Sequence, residues 1–246
     1  MNKIWIGNGQ LVLPDEIVSG GSVLLEGKKI AAVNVPCPPD ARRVDVDGSY
    51  IMAGFVDIHV HGGGDSDFMD EDASAFPTIA KAHCAHGTTA LCPTTMTCAD
   101  SLLEKTIDLF LEADKEPENG AELLGLHLEG PYFSAASKGA QPIGEQRIPE
   151  REDLERILRR AKGSILRWDA APELPNMELF AKVMAENGVL TSLAHSAATA
   201  PEALRAFDWG FSHVTHFYNA CTTFHKKNGL VYSGIVEATY LRDDVT

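Results

Sequence analysis

At 246 residues, 44% of them apolar and 23% charged, the chain can bury one large core and is too apolar to be disordered. Its formal charge of −14 argues against nucleic acid or an anionic membrane as a partner, because affinity for either rests on clustered Lys and Arg. No apolar run reaches the length of a membrane span, and Met1-Asn2-Lys3-Ile4-Trp5 lacks the apolar core of a signal peptide, so the expectation is a cytoplasmic protein with no membrane contact.

Residues 1–50 alternate apolar and polar positions, as in Ile4-Trp5-Ile6, Leu11-Val12-Leu13 and Ser22-Val23-Leu24-Leu25, with a turn at Glu26-Gly27-Lys28-Lys29 before Ile30-Ala31-Ala32-Val33. This pattern predicts a small β module of hairpins, the N-terminal part of a β-sandwich. Pro36, Pro38 and Pro39 interrupt it, and a last strand near Arg43 to Val46 leads into Ile51.

From Phe55 the rhythm changes to strand, loop and helix, and residues 51–246 read as a second domain. Strands are expected to begin near Phe55, Thr88, Leu123, Ser164, Val189 and His213, separated by amphipathic stretches at 73–86, 101–113, 150–161, 177–187 and 201–207. Strands alternating with helices imply an α/β fold with a parallel sheet and right-handed crossovers. About six such units are present, whereas a closed (β/α)8 TIM barrel needs eight in about 250 residues. The expectation is therefore an incomplete barrel that stops two units short, after a sixth helix near Tyr240-Leu241-Arg242. The five cysteines, Cys37, Cys84, Cys92, Cys98 and Cys221, show no CxxC spacing and read as reduced thiols. Glu150 to Glu155 precede Arg156, Arg159 and Arg160 at spacings that predict ion pairs within one helix.

The chemistry concentrates at the strand ends. The strand Phe55-Val56-Asp57-Ile58 delivers His59 and His61 just before Gly62-Gly63-Gly64, and residues two apart on a strand face one side, so both imidazoles address one spot. Glu129, His195 and His216 each follow another apolar run: Leu123 to Leu128, Val189 to Ala194, and His213 to Thr215. A single His near a strand end is ordinarily structural, but five donors in this order at successive strand ends predict a metal at the mouth of a parallel barrel. The other histidines do not share this placement. His83 and His86 fall at a helix C-terminus, where a cation suits the dipole. His127 has the parity of Glu129 and is expected one layer deeper as a packed, hydrogen-bonded residue. His213 lies three residues before His216, a spacing that on a strand sends the two to opposite faces.

Gly54-Phe55-Val56-Asp57-Ile58-His59-Val60-His61-Gly62, His86-Gly87-Thr88-Thr89, His127-Leu128-Glu129-Gly130-Pro131-Tyr132, Ala194-His195-Ser196 and Thr215-His216-Phe217-Tyr218-Asn219-Ala220 together resemble the N-acetylglucosamine-6-phosphate deacetylases of the amidohydrolase superfamily. The His-x-His pair is generic to the superfamily, while the segments around Glu129 and His216 are specific to these deacetylases. The resemblance implies a hydrolase that removes acetate from a small phosphorylated amino sugar, N-acetylglucosamine 6-phosphate, in amino-sugar catabolism, and acts as a homodimer. It implies one or two divalent ions, of Zn, Fe, Mn or Co, with Glu129, His195 and His216 holding the main one and His59 and His61 a second that Glu129 bridges. On the substrate side it implies contacts from Ala140 and Gln141, from the Asn219 and Ala220 backbone toward the phosphate, and from Lys227. Gln141 stands where the commoner family pattern has His, and Lys227 where it has Arg, so neither a titrating group nor a bidentate fork is offered there. The family's general-base aspartate, after an eighth strand, and its carbonyl-polarising histidine, after a seventh, would both lie beyond Thr246. No catalytic residue is therefore assigned within the chain, and Asp243 and Asp244, at a helix terminus, are not given the role.

Two other readings stand beside this one. Another amidohydrolase, such as a cyclic amidase or aminoacylase, would need only the His-x-His pair and the later histidines, and the segments around Glu129 and His216 argue against it. An inactive metal-binding fragment would account for the missing aspartate.

Overall fold

Apolar alternation after Lys3 builds a five-stranded sheet in a computed structural model that describes residues 3–142 and 144–246. Strands β1 (Lys3–Val12), β2 (Ile17–Glu26), β3 (Lys29–Val33) and β4 (Arg42–Asp45) lie in the order β3-β2-β1-β4, and β5 (Tyr50–Ile51) also pairs with β1. The two short apolar runs near Ile4 and Leu11 are one strand, its register shifted between Gly7 and Gln10. The hairpin turn at Gly27 joins β2 to β3 as expected. Leu11, Val23 and Ile51 form the small core of this unit, which comprises residues 1–55.

The second unit, residues 56–246, is the α/β part. Its strands are β6 (Phe55–Val60), β7 (Gly62–Gly63), β8 (Ser66–Asp67), β9 (Thr88–Thr95), β10 (Glu122–Leu123), β11 (Leu126–Glu129), β12 (Ile165–Ala170), β13 (Leu190–Leu193) and β14 (His213–Val214). Helices α1 (Ala75–Cys84), α2 (Asp100–Glu112), α3 (Arg151–Ala161), α4 (Met177–Glu186) and α5 (Ala200–Trp209) intervene. The strands run β6-β9-β11-β12-β13-β14 in spatial order, and the neighbours from β9 to β14 are parallel. Sequential order with helical crossovers is the arc of a TIM barrel, as the periodicity predicts. The helices lie within one or two residues of their expected bounds, except the last: α6 (Ile235–Thr239) ends before Tyr240, and a hairpin, β15 (His225–Lys227) with β16 (Leu230–Tyr232), precedes it.

Local signals explain the helix ends. Thr199 and Glu202 form a reciprocal capping box that starts α5, with Pro201 in its first turn. Lys162 closes α3 in the left-handed conformation. The outward strand face packs on the helices through Leu128, Trp168, Phe180, Ile157 and Ile107, all at most 2% exposed. Each such side chain contributes about 1.5–3 kcal/mol by leaving water.

Two expectations need correction. Arg156 and Arg160 pair mainly across to α2, with Asp100, Glu104 and Asp108, while within α3 Glu155 keeps i, i+4 partners in Arg151 and Arg159 and Asp153 an i, i+3 partner in Arg156. Helical spacing cannot foresee a neighbouring helix. Among the described residues β6, the first strand of the incomplete barrel, pairs only with β9, and Val56 is 58% and Ile58 46% exposed. Inside the arc, Ile58, Leu124, Leu166, Leu190, Arg167 and His213 line a cavity of about 450 Å³. The far edge at β14 is not bare as an open barrel would suggest, since Val214 N–H donates to Thr246 O at 2.8 Å and Thr246 N–H to Ser212 O at 3.0 Å.

Candidate metal centre

The carboxyl ends of β6, β11, β13 and β14 bring five donor side chains to one place. His59 and His61 meet at 3.2 Å between their Nε2 atoms, as strand parity requires. Glu129, the last residue of β11 and only 3% exposed, lies between this pair and the other two histidines. Its Oε2 is 3.1 Å from His61 Nε2 and 3.5 Å from His59 Nε2. Its Oε1 is 2.9 Å from His195 Nε2 and 3.2 Å from His216 Nε2, and those two nitrogens are 3.1 Å apart. The donors thus form two groups that share one carboxylate, each group within 4.8 Å.

His195 and His216 lie two residues past β13 and β14, and both have left-handed backbone, with φ of +45° and +39°. This bend overrides strand parity. His213, on β14 itself, turns into the arc beside Arg167, while His216 reaches the rim from a turn. His213 belongs to neither donor group among the described residues, and the opposite-face reasoning that set it apart from His216 does not apply past the strand end.

The second nitrogen of each ring decides the chemistry. His61 Nδ1 lies 3.2 Å from Thr94 O, His195 Nδ1 3.0 Å from Ser137 O, and His216 Nδ1 2.6 Å from Asn219 O. Carbonyls only accept, so each Nδ1 carries a proton and each ring turns its Nε2 toward Glu129. With Nε2 unprotonated, acceptors face acceptors, an arrangement held together by a cation or by an added proton. Ligands on a tetrahedral ion at 2.0–2.1 Å are about 3.3 Å apart, close to the spacings here. The donor set therefore fits a divalent metal. Electrostatics agree: burial works against the Glu129 carboxylate, but four imidazole contacts outweigh it and hold the carboxyl far below its ordinary range. Burial lowers His61 and His216, and Glu129 outweighs it and raises both.

The other expected residues surround the cluster. Gly139, Ala140, Gln141, Asn219, Ala220 and Met96 complete a cavity of about 270 Å³ over the five donors. Gln141 is 2% exposed, and its Oε1 accepts the Thr97 N–H at 2.8 Å. Asn219 N–H donates to His216 O at 2.7 Å, and Ala220 O accepts from Ser196 N–H at 3.0 Å. Lys227 belongs to β15, and its side chain lies outside the described residues. Gly130 follows Glu129 at φ +101°, and a Cβ there would overlap Thr97 Oγ1, which explains the glycine in that segment.

One layer deeper, His127 is 1% exposed, as expected, and its Nε2 lies 2.9 Å from Asp169 Oδ2. Arg167 donates to His127 Nδ1 at 2.9 Å, to His213 Nε2 at 3.1 Å and to Ile58 O at 3.1 Å. Burial holds His127 below its ordinary pKa despite Asp169. Arg167 and Asp169 were not foreseen, although their two-residue spacing within the apolar run of β12 marks them as inward-facing charges. His83, at the end of α1, donates to Gly62 O at 3.0 Å and takes no part in the cluster.

Comparison with known proteins agrees with this geometry. The profile of the amidohydrolase family matches residues 50–242. The chain is 31% identical over 201 residues to the N-acetylglucosamine-6-phosphate deacetylase of Lysinibacillus sphaericus, covering 79% of this chain and 50% of that protein. It is 28% identical over 234 residues to the N-acetylgalactosamine-6-phosphate deacetylase of Escherichia coli O157:H7, covering 95% and 58% respectively. The crystal structure of N-acetylglucosamine-6-phosphate deacetylase from Pasteurella multocida superposes with a TM-score of 0.87 at 26% identity, covering 98% of this chain and 63% of that one. The chain spans about half the length of the curated relatives it matches. With the family profile running from β5 through the last helix, over the strands and strand ends that carry every donor of the cluster, the chain belongs to the amidohydrolase family.

Proposed function

We propose that this chain carries the metal centre of a deacetylase acting on N-acetylglucosamine 6-phosphate. The observation that carries the reading is the shared carboxylate: each Glu129 oxygen faces two imidazole nitrogens. In this reading Glu129, His195 and His216 hold one divalent ion, His59 and His61 hold a second, and Glu129 bridges them. Nitrogen and carboxylate donors suit Zn, Fe, Mn and Co alike. When bound, such an ion lowers the pKa of a bound water toward ~7 and polarises the amide carbonyl.

The chain's own groups do the rest. Gln141, Ala140, Asn219 and Ala220 wall the cavity in which the acetamide and sugar would be oriented, and Lys227 would meet the phosphate as a point charge. Among the described residues Glu129 is the only carboxylate lining this cavity, and a carboxylate held ionised by four imidazoles is a poor proton donor. Proton transfer to the leaving amine is thus assigned outside these residues, to the aspartate that the resemblance implies after an eighth strand. The homodimer and the cytoplasmic location belong to this reading through the resemblance, and sedimentation of the purified protein tests the first.

Calorimetric titration of the metal-loaded chain with N-acetylglucosamine 6-phosphate tests the substrate. Binding is expected that weakens when the metal is stripped and when the phosphate is absent, with the galactosamine epimer as competitor. If the metal-loaded chain binds neither sugar phosphate, the substrate assignment is wrong. Acetate release from residues 1–246 alone is expected to be lower, by about 10²–10⁴-fold, than from a form that supplies the acid–base group.

A further inference from the structure

Glu173 lies in the loop between β12 and α4, outside the donor set and outside the cavity lining. Its carboxylate nevertheless takes hold of the loop that carries His195. Oε2 accepts the Ser196 hydroxyl at 2.6 Å, and Oε1 accepts the Ala197 N–H at 2.6 Å. Ser196 is itself fully buried, and its Oγ accepts the Ala198 N–H at 3.0 Å, so the side chain is fixed from two sides.

The residue just before this clamp is under conformational load. His195 has φ +45°, a region that a bulky non-glycine residue enters only when its surroundings hold it there. Ser134 N–H donates to His195 O at 3.0 Å and Phe133 packs on the ring with centroids 4.5 Å apart, which fixes the near side. Glu173 fixes the far side. The same turn also reaches the next ligand loop, because Ser196 N–H donates to Ala220 O and Ser196 bridges Cys221. Asn219, one residue earlier, supplies the carbonyl that orients His216 Nδ1.

We propose that Glu173 is a positioning residue of the metal centre: by gripping Ser196 and Ala197 it holds His195 in its left-handed conformation, with Nε2 aimed at Glu129, and steadies the loop of His216 through the Ser196–Ala220 contact. A carboxylate suits the task because it accepts both donors at once, and ionised acceptors make the stronger hydrogen bonds. Outer groups that orient ligands in this way typically govern metal affinity by 10–100-fold.

This inference rests on the reading of His195 as a ligand, and the test separates the two. Zinc affinity is measured by competition with a chromophoric chelator, and the ligand field by the visible absorption of the cobalt-loaded protein, for wild type and for Glu173→Ala, Glu173→Gln, Ser196→Ala and His195→Ala. Glu173→Ala is expected to weaken zinc binding by about 10–100-fold and to shift the cobalt spectrum. Glu173→Gln, whose amide can accept from Ala197 and donate to Ser196, should recover most of the affinity, and Ser196→Ala should fall between. Ile157→Val, a core change in α3, serves as the control that lowers stability without touching either readout. Unchanged affinity and spectrum in Glu173→Ala and Ser196→Ala, with wild type binding metal and His195→Ala losing it, would overturn the positioning role alone. A wild type that binds no zinc, or a His195→Ala variant that binds it as well as wild type, would overturn the underlying ligand reading and the inference with it.

Discussion

His195 Nε2 stands 2.9 Å from Glu129 Oε1 although 66 residues separate them, and the proton on the far side of the ring, held by Ser137 O, leaves a lone pair facing the carboxylate. Two acceptors at that distance are stable together only with a cation or an added proton between them. Replacing Glu129 removes the one group common to both halves of the cluster. Glu129→Gln is expected to lower bound metal to a trace. His59→Ala with His61→Ala is expected to leave one ion per chain and an intact fold, because these rings sit on the barrel rim. Metal analysis of the purified variants checks both. Full metal content in Glu129→Gln, or no loss in the double variant, would contradict the shared-carboxylate arrangement.

Proton and metal compete for the same lone pairs. Burial lowers His61 and His216, but Glu129 outweighs it and raises both above the ordinary 6.5, so their metal-free rings take up protons more readily than a free imidazole as pH falls. Only the neutral ring ligates, and apparent metal affinity is therefore greatest on the alkaline side and falls as pH drops, by about tenfold per unit for each proton displaced. Zinc titrations between pH 8 and pH 6 read this slope. A flat profile would show that neither ring is displaced of a proton on binding.

The buried pair His127 and Asp169 predicts a large stability effect away from the metal. Asp169 is fully buried, and its removal leaves the Arg167 guanidinium in the interior without its counter-charge and His127 Nε2 without its partner. Asp169→Ala is expected to cost about 3–5 kcal/mol in urea unfolding. A loss below about 1 kcal/mol would mean that the network relaxes into the neighbouring cavity or takes up water.

His213 gives the fold an acid sensitivity of its own. Burial first, and then the charge of Arg167, push its pKa down to about 4, so the folded protein holds the ring neutral. A depressed pKa contributes stability that is present above the unfolded value near 6.5 and is lost as pH falls toward 4. His213→Gln should flatten the fall in unfolding midpoint between those limits, while wild type declines through them. Parallel declines in the two proteins would remove His213 from the acid response.

Legibility in the sequence follows the range of the interactions involved. The helices and the parallel order were readable because hydrophobic periodicity is local, and His59 with His61 because strand parity spans two residues. Glu129, His195 and His216 were readable as strand-end residues, but the left-handed turns that aim the two histidines carry no signature in Ala194-His195-Ser196 or Thr215-His216-Phe217. Arg167, Asp169 and Glu173 escaped notice because their partners His127, His213 and Ser196 are distant in sequence, and a charge in an apolar run announces burial without naming its counterpart.

The most direct test of the metal centre is anomalous scattering from a crystal of the protein soaked in zinc, recorded on both sides of the zinc edge. A peak is expected at about 2.0–2.2 Å from Glu129 Oε1, His195 Nε2 and His216 Nε2, with a second near His59 and His61 on the side of Glu129 Oε2. The absence of any peak among these five side chains, or zinc bound only elsewhere, such as at His83 and His86, would contradict the assignment.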